Sequence, residues 1–178
     1  MSRSQLQQYC GLAAIAAGVL VAVAWIMVWR QGAPASTSSW LLLIGHLLLT
    51  FGILGIYVAT HEGAGSLGFL GFALLLLANP IIVSSVVAGD VETALSFDTL
   101  MPLANVGMGL GTLLLAAGVW NTDALPKNST ALWGLGGVLT SIGVFMSPPP
   151  SPANALTLIG VIVLAIGIWF IWKELKAG

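Results

Sequence analysis

Charged side chains are scarce in this sequence. Five Lys or Arg and six Asp or Glu residues make up only 6% of its 178 residues. A water-soluble domain carries about 25% charged residues, because its surface has to be hydrated. Hydrophobic residues account for 58% of the chain, and the mean hydropathy is +1.02. Because so few charged residues cannot hydrate the surface of a water-soluble protein, the composition predicts an integral membrane protein in contact with the lipid bilayer.

Two further absences exclude other classes of protein. No run of Lys or Arg occurs and the net charge is −1, so the sequence lacks the clustered cations that bind nucleic acid. The single cysteine, Cys10, has no partner for an internal disulfide, and a Cys/His zinc cluster cannot be assembled from it. We therefore expect neither a nucleic-acid partner nor a metal site.

Six apolar stretches have about the length needed to cross a bilayer, which takes about 20 mostly apolar residues in a helix. All charged residues lie outside these stretches, as the high cost of a charge at the bilayer centre requires. We therefore predict one transmembrane domain over residues 1–178, an all-α bundle of six transmembrane helices. The predicted helices cover about 8–29, 39–60, 67–89, 99–120, 130–147 and 153–172.

The distribution of basic residues predicts the orientation. With six spans, both termini and the loops near 61–66 and 121–129 share one side of the membrane. On the other side, Arg30 is the only basic residue. Because Lys and Arg concentrate on the cytoplasmic side, we predict cytoplasmic termini. We separately expect the membrane to be a prokaryotic inner (cytoplasmic) membrane. The basic residues on the predicted cytoplasmic side are Arg3, Lys127, Lys173 and Lys176.

A similar tripeptide ends the apolar run of each even-numbered predicted helix. It consists of a glycine, a β-branched residue and an aromatic residue. Three helical hairpins in tandem would explain the pattern. Coincidence would also explain it, because small and aromatic residues are common at the ends of membrane helices. The tripeptides are Gly55-Ile56-Tyr57, Gly118-Val119-Trp120 and Gly167-Ile168-Trp169.

His46 is the candidate cofactor-binding residue. It lies about 10 Å along the second predicted helix from its outer end, beside Gly45. An imidazole at this depth can ligate a haem iron or the magnesium of chlorophyll. His61 follows about 22 Å further along the same helix, so the two cannot bind one haem from both faces. The alternative is a hydrogen bond from His46 to a carbonyl group or an Asn on a neighbouring helix.

Two asparagines are the other notable polar residues within the predicted spans. Asn79 and Asn105 are predicted to form interhelical hydrogen bonds. Pro80 follows Asn79 near the middle of the third helix, where it removes a helical hydrogen bond and predicts a kink. Broken helices at this depth mark substrate sites in many transporters. The sixth predicted helix has no matching break, so a purely structural kink is the other interpretation.

Small residues recur at helical spacing in the first and fourth predicted helices. Ala14 with Gly18, and Gly107 with Gly111, allow helix backbones to approach closely, and Gly109 adds to the second pair. The pattern predicts helix packing. It does not distinguish packing within the bundle from packing against another subunit.

Catalytic motifs are absent, and the few polar groups inside the spans give no acid–base or nucleophilic constellation. We therefore expect no catalytic residues and no enzyme activity. The first functional hypothesis is an accessory subunit that packs against other membrane subunits, or itself, in an energy-converting or photosynthetic-type complex. The second is a channel or carrier for a small uncharged solute, with His46, Asn79 and Asn105 on its wall. The third is a chlorophyll- or haem-binding protein that uses His46.

Overall fold

The described part of the chain is all-helical. The structure, a computed structural model, describes residues 3–31, 36–87, 97–120, 122, 125–146 and 155–177. Their regular structure consists of α1 (Arg3–Gln31), α2 (Ser36–Val87), α3 (Phe97–Trp120), α4 (Lys127–Phe145) and α5 (Ala155–Ala177). The prediction of an all-α protein is confirmed for these residues, and the five helices are long and apolar enough to cross a membrane. Six separate helices are not confirmed, because predicted helices 39–60 and 67–89 both fall within α2.

Helix α2 folds back on itself at Gly65. Its 52 residues would extend about 78 Å if the helix were straight. Gly65 has φ 60° and ψ −161°, a combination that is essentially restricted to glycine. Nδ1 of His46 and Oδ1 of Asn79 are 2.6 Å apart, although a straight helix would separate the two residues by about 50 Å. The element therefore has two antiparallel limbs, the first limb (36–64) and the second limb (66–87).

The helical segments form a closed ring. Each packs against the next along the chain: α1 on α2, α2 on α3, α3 on α4 and α4 on α5. The ring closes because α5 also packs on α1. With the two limbs of α2 counted separately, six segments surround a common interior. This order places sequence neighbours side by side, as short connections favour.

Apolar side chains fill the interior of the ring, including large ones such as Trp133, and they also cover its outside. Small residues such as Ala14 and Ala17 are buried where helices meet. Large apolar residues face outward, with exposed fractions of 57% for Phe51, 52% for Leu70 and 68% for Leu77. A continuous apolar exterior is unfavourable in water at about 25 cal/mol per Å². The same exterior is compatible with a membrane protein that contacts lipid.

Candidate functional site

A cavity of about 60 Å³ lies inside the ring. A water molecule needs about 10–15 Å³ on the same measure, so the space suits a few waters or one small solute. Both limbs of α2 and all four other helices contribute to its wall, one example from each segment being Val21, His46, Ile82, Asn105, Ser141 and Val161. The cavity is thus a property of the whole ring and depends on its closure.

His46 is held in this wall by Asn79. The two residues come from the two limbs of α2, and each is more than nine-tenths buried, with exposed fractions of 7% and 1%. The Asn79 amide nitrogen donates to the backbone oxygen of His46 and to Oγ1 of Thr50, both at 2.7 Å. Thr50 in turn donates to the His46 backbone oxygen at 3.1 Å. Both N–H groups of the amide are therefore used, and Oδ1 remains as the acceptor.

This network fixes the tautomer of His46. Oδ1 of Asn79 can only accept, so Nδ1 of His46 carries the hydrogen that joins them. A neutral imidazole with its hydrogen on Nδ1 has a lone pair on Nε2. The geometry matches the alternative given for His46 from its sequence, a hydrogen bond to an Asn on a neighbouring helix.

Three hydroxyl groups in the cavity wall donate to carbonyls of their own helices. Thr112 donates to the Gly109 oxygen at 2.9 Å, Thr140 to Gly136 at 2.8 Å and Ser141 to Gly137 at 2.9 Å. Each hydroxyl hydrogen is consumed in this way, while the oxygen keeps a lone pair. Sequence reasoning missed these residues, because Ser and Thr bond back to their own helix backbone at many positions that have no functional role.

The polar residues singled out from the sequence converge on this region. His46 and Asn105 line the cavity, and Asn79 supports His46 from outside the lining. Pro80 is exposed, and the non-helical dihedral angles recorded within α2 belong to Gly65 rather than to Pro80. The kink at Pro80 stays a prediction. His61 lies apart, exposed, with Nδ1 3.0 Å from the Val58 oxygen.

The small residues pack within the chain. Ala14 of α1 lies against Gly52, and a methyl group added at Gly18 would lie 3.2 Å from Cβ of Ala165 in α5. The glycines of α3 likewise lie in close contact with α2 and α4. Their partners are Ala78 for Gly107, Ser141 for Gly109 and Leu75 for Gly111. The close approaches that the sequence predicted therefore build the ring itself.

Among the described residues, no group of three or more His, Cys, Asp or Glu side chains could hold a metal ion. Binding of haem or chlorophyll by His46 stays a prediction. No protein-family model, curated protein or solved structure matches the chain. Inference about function therefore rests on the cavity and its wall.

Proposed function

We propose that the chain spans the bilayer six times as three tandem hairpins, with both termini in the cytoplasm. A single crossing needs about 20 helical residues, and each limb of α2 has enough for one. The reversal at Gly65 lies between Ala64 and Ser66, next to the exposed polar residues His61 and Glu62. Two crossings by α2 place that polar end at the membrane surface, where charge is tolerated.

Three equivalent contacts support the tandem arrangement. In each proposed hairpin, the glycine of the repeated tripeptide lies against the preceding segment, so that its missing side chain allows close packing. The pairs are Gly55 with Cys10, Gly118 with Gly68 and Gly167 with Trp133.

As its function, we propose a channel or carrier for a small uncharged solute that occupies the central cavity. The observation that carries this proposal is the cavity wall, to which every segment of the ring contributes and in which His46 is the sole titratable side chain among the lining residues. An ion entering this wall would lose its hydration without meeting an opposite charge, at high cost. A neutral solute avoids that penalty. One titratable group also provides no acid–base pair, so we propose passage without catalysis.

The accessory-subunit hypothesis stays a prediction, but its main support is weaker. The small-residue pairs that motivated it pack inside the ring, so they do not require another subunit to explain them. Binding of a pigment or haem by His46 likewise stays a prediction.

Flux through proteoliposomes tests the transport proposal. Purified protein is reconstituted, and efflux of acetamide, a small neutral amide, is followed by stopped-flow light scattering. We expect efflux above that of protein-free liposomes, and roughly tenfold slower efflux for Asn105→Leu, which corresponds to about 1.4 kcal/mol for a lost polar interaction.

The matched control is Leu110→Ala on the same helix, where the side chain is 49% exposed. It removes lipid-facing volume and should leave the efflux unchanged. Efflux equal to protein-free background in both the wild type and the variants would overturn the transport proposal.

A further inference from the structure

We propose that the cavity recognises its solute as a hydrogen-bond donor, through Nε2 of His46 as the acceptor. The solute class is a small neutral molecule with an N–H or O–H group and an apolar remainder, such as a short amide or alcohol. This inference rests on the proposed function, because it takes the central cavity to be the solute site.

The first step concerns where Nε2 of His46 points. Among the described residues, the side-chain hydrogen bond of His46 runs through Nδ1, to Asn79. Every fully buried side-chain nitrogen or oxygen in that part of the chain has a hydrogen-bond partner. Nε2 has none and is therefore not fully buried. Because His46 lies in the cavity wall and is otherwise buried, we infer that Nε2 faces the cavity.

The second step concerns the neighbouring polar groups. The hydroxyl groups of Thr112, Thr140 and Ser141 each donate their hydrogen to a backbone carbonyl. The hydroxyl oxygens can therefore only accept hydrogen bonds from a solute, and the same holds for Nε2. A molecule that can only accept would leave these atoms unpaired when it displaces water, which is unfavourable. A donor satisfies at least one of them.

The remaining wall selects for an apolar group on the same molecule. Val21, Leu49 and Val161 contribute apolar surface to the cavity. A methyl group is favoured against such surface, whereas a second polar group would lack partners there. Acetamide has one donating amide and one methyl group. Acetone has nearly the same shape but accepts only, so the two form a matched pair of probes.

Nitrogen NMR of the full-length protein tests the proposal directly. The protein is labelled with ¹⁵N-histidine in detergent micelles, with His61→Gln as background so that His46 gives the sole imidazole signals. His61 is exposed and outside the cavity lining, so this change leaves the site intact. We expect a saturable upfield shift of the Nε2 resonance with acetamide and at least tenfold weaker binding of acetone, the effect of one unmade hydrogen bond.

A second variant keeps His46 and its support in place. Thr140→Val removes one acceptor, and acetamide binding should weaken severalfold while the Nε2 shift at saturation persists. Equal responses to acetamide and acetone, no response to either, or a proton on Nε2 in the unliganded protein would each overturn the donor proposal. Acetamide flux without an Nε2 response would overturn this inference and leave transport standing. An Nε2 response without flux would overturn transport and leave a donor-binding site.

Discussion

The aromatic rings of Tyr57 and Phe72 stack with their centroids 4.0 Å apart and their planes 8° from parallel. Tyr57 lies on the first limb of α2 and Phe72 on the second, on either side of Gly65. The His46–Asn79 hydrogen bond joins the same limbs further from the reversal. The hairpin within α2 is therefore held at two levels, by ring stacking near its closed end and by a buried polar network nearer the cavity.

Removing the stacked pair should loosen this hairpin. Aromatic pairs contribute about 0.5–1.5 kcal/mol beyond the area that they bury. We expect a coupling free energy of that size between Tyr57→Leu and Phe72→Leu in a double-mutant cycle measured by unfolding in denaturing detergent. The control cycle pairs Phe51→Leu, at an exposed position, with Phe72→Leu. Additive effects in both cycles would show that the stacking does not stabilise the hairpin.

Substitution of Gly65 isolates the backbone requirement of the reversal. A methyl group added there would meet nothing within 4 Å, so Gly65→Ala introduces no steric overlap with neighbouring residues. Its φ of 60° with the accompanying ψ should cost about 1–3 kcal/mol with any side chain. We expect a lower thermal unfolding temperature for Gly65→Ala, and little change for the adjacent Ser66→Ala. An unchanged unfolding temperature for Gly65→Ala would mean that the reversal adopts another backbone conformation.

Glycines at helix contacts should differ in their tolerance of a methyl group. A Cβ at Gly71 would overlap the backbone of Leu115, whereas a Cβ at Gly107 would lie 3.1 Å from the Ala78 methyl group. Gly71→Ala should therefore separate the second limb from α3 and destabilise the protein by about 1–3 kcal/mol. Gly107→Ala should be milder, because it meets a single side-chain atom. Equal effects in thermal unfolding would contradict the close backbone approach at Gly71.

Cysteine labelling tests the six-span topology. In a Cys10→Ala background, Glu62→Cys, Lys127→Cys and Thr37→Cys each place one thiol at an exposed position. If both limbs of α2 cross the membrane, a membrane-impermeant maleimide should label Glu62→Cys and Lys127→Cys in inverted vesicles alone. It should label Thr37→Cys from outside intact cells. Labelling of Glu62→Cys from the same side as Thr37→Cys would disprove two crossings by α2.

Helix positions could be predicted because they follow from one dominant energy, the cost of placing charge in an apolar medium. That argument locates apolar segments but not the shape of the connection between them. The sequence predicts a loop at residues 61–66, because this segment contains Gly63, Gly65 and the charged Glu62. In the structure, the helix continues on both sides of Gly65, because one glycine with positive φ is sufficient to reverse the chain.

The amide and imidazole residues of the site could be predicted from the sequence, but its hydroxyl residues and its pairings could not. His46, Asn79 and Asn105 stand out because polar residues are rare in these spans. Which of them meet depends on how each helix is rotated, and rotation is set by packing that no local pattern encodes. For the same reason, Gly107 and Gly111 predict a close helix contact without naming its partner, which is the second limb of α2.

Closure of the ring by α5 has a consequence for biogenesis. The neighbour of α1 on that side, through Gly18 and Ala165, is α5, which is synthesised after the other four described helices. While translation proceeds, the inserted segments form an open arc, and the future cavity is a lateral cleft accessible to acyl chains. If the chain spans the bilayer as proposed, its interior is therefore closed to acyl chains only once α5 has docked on α1.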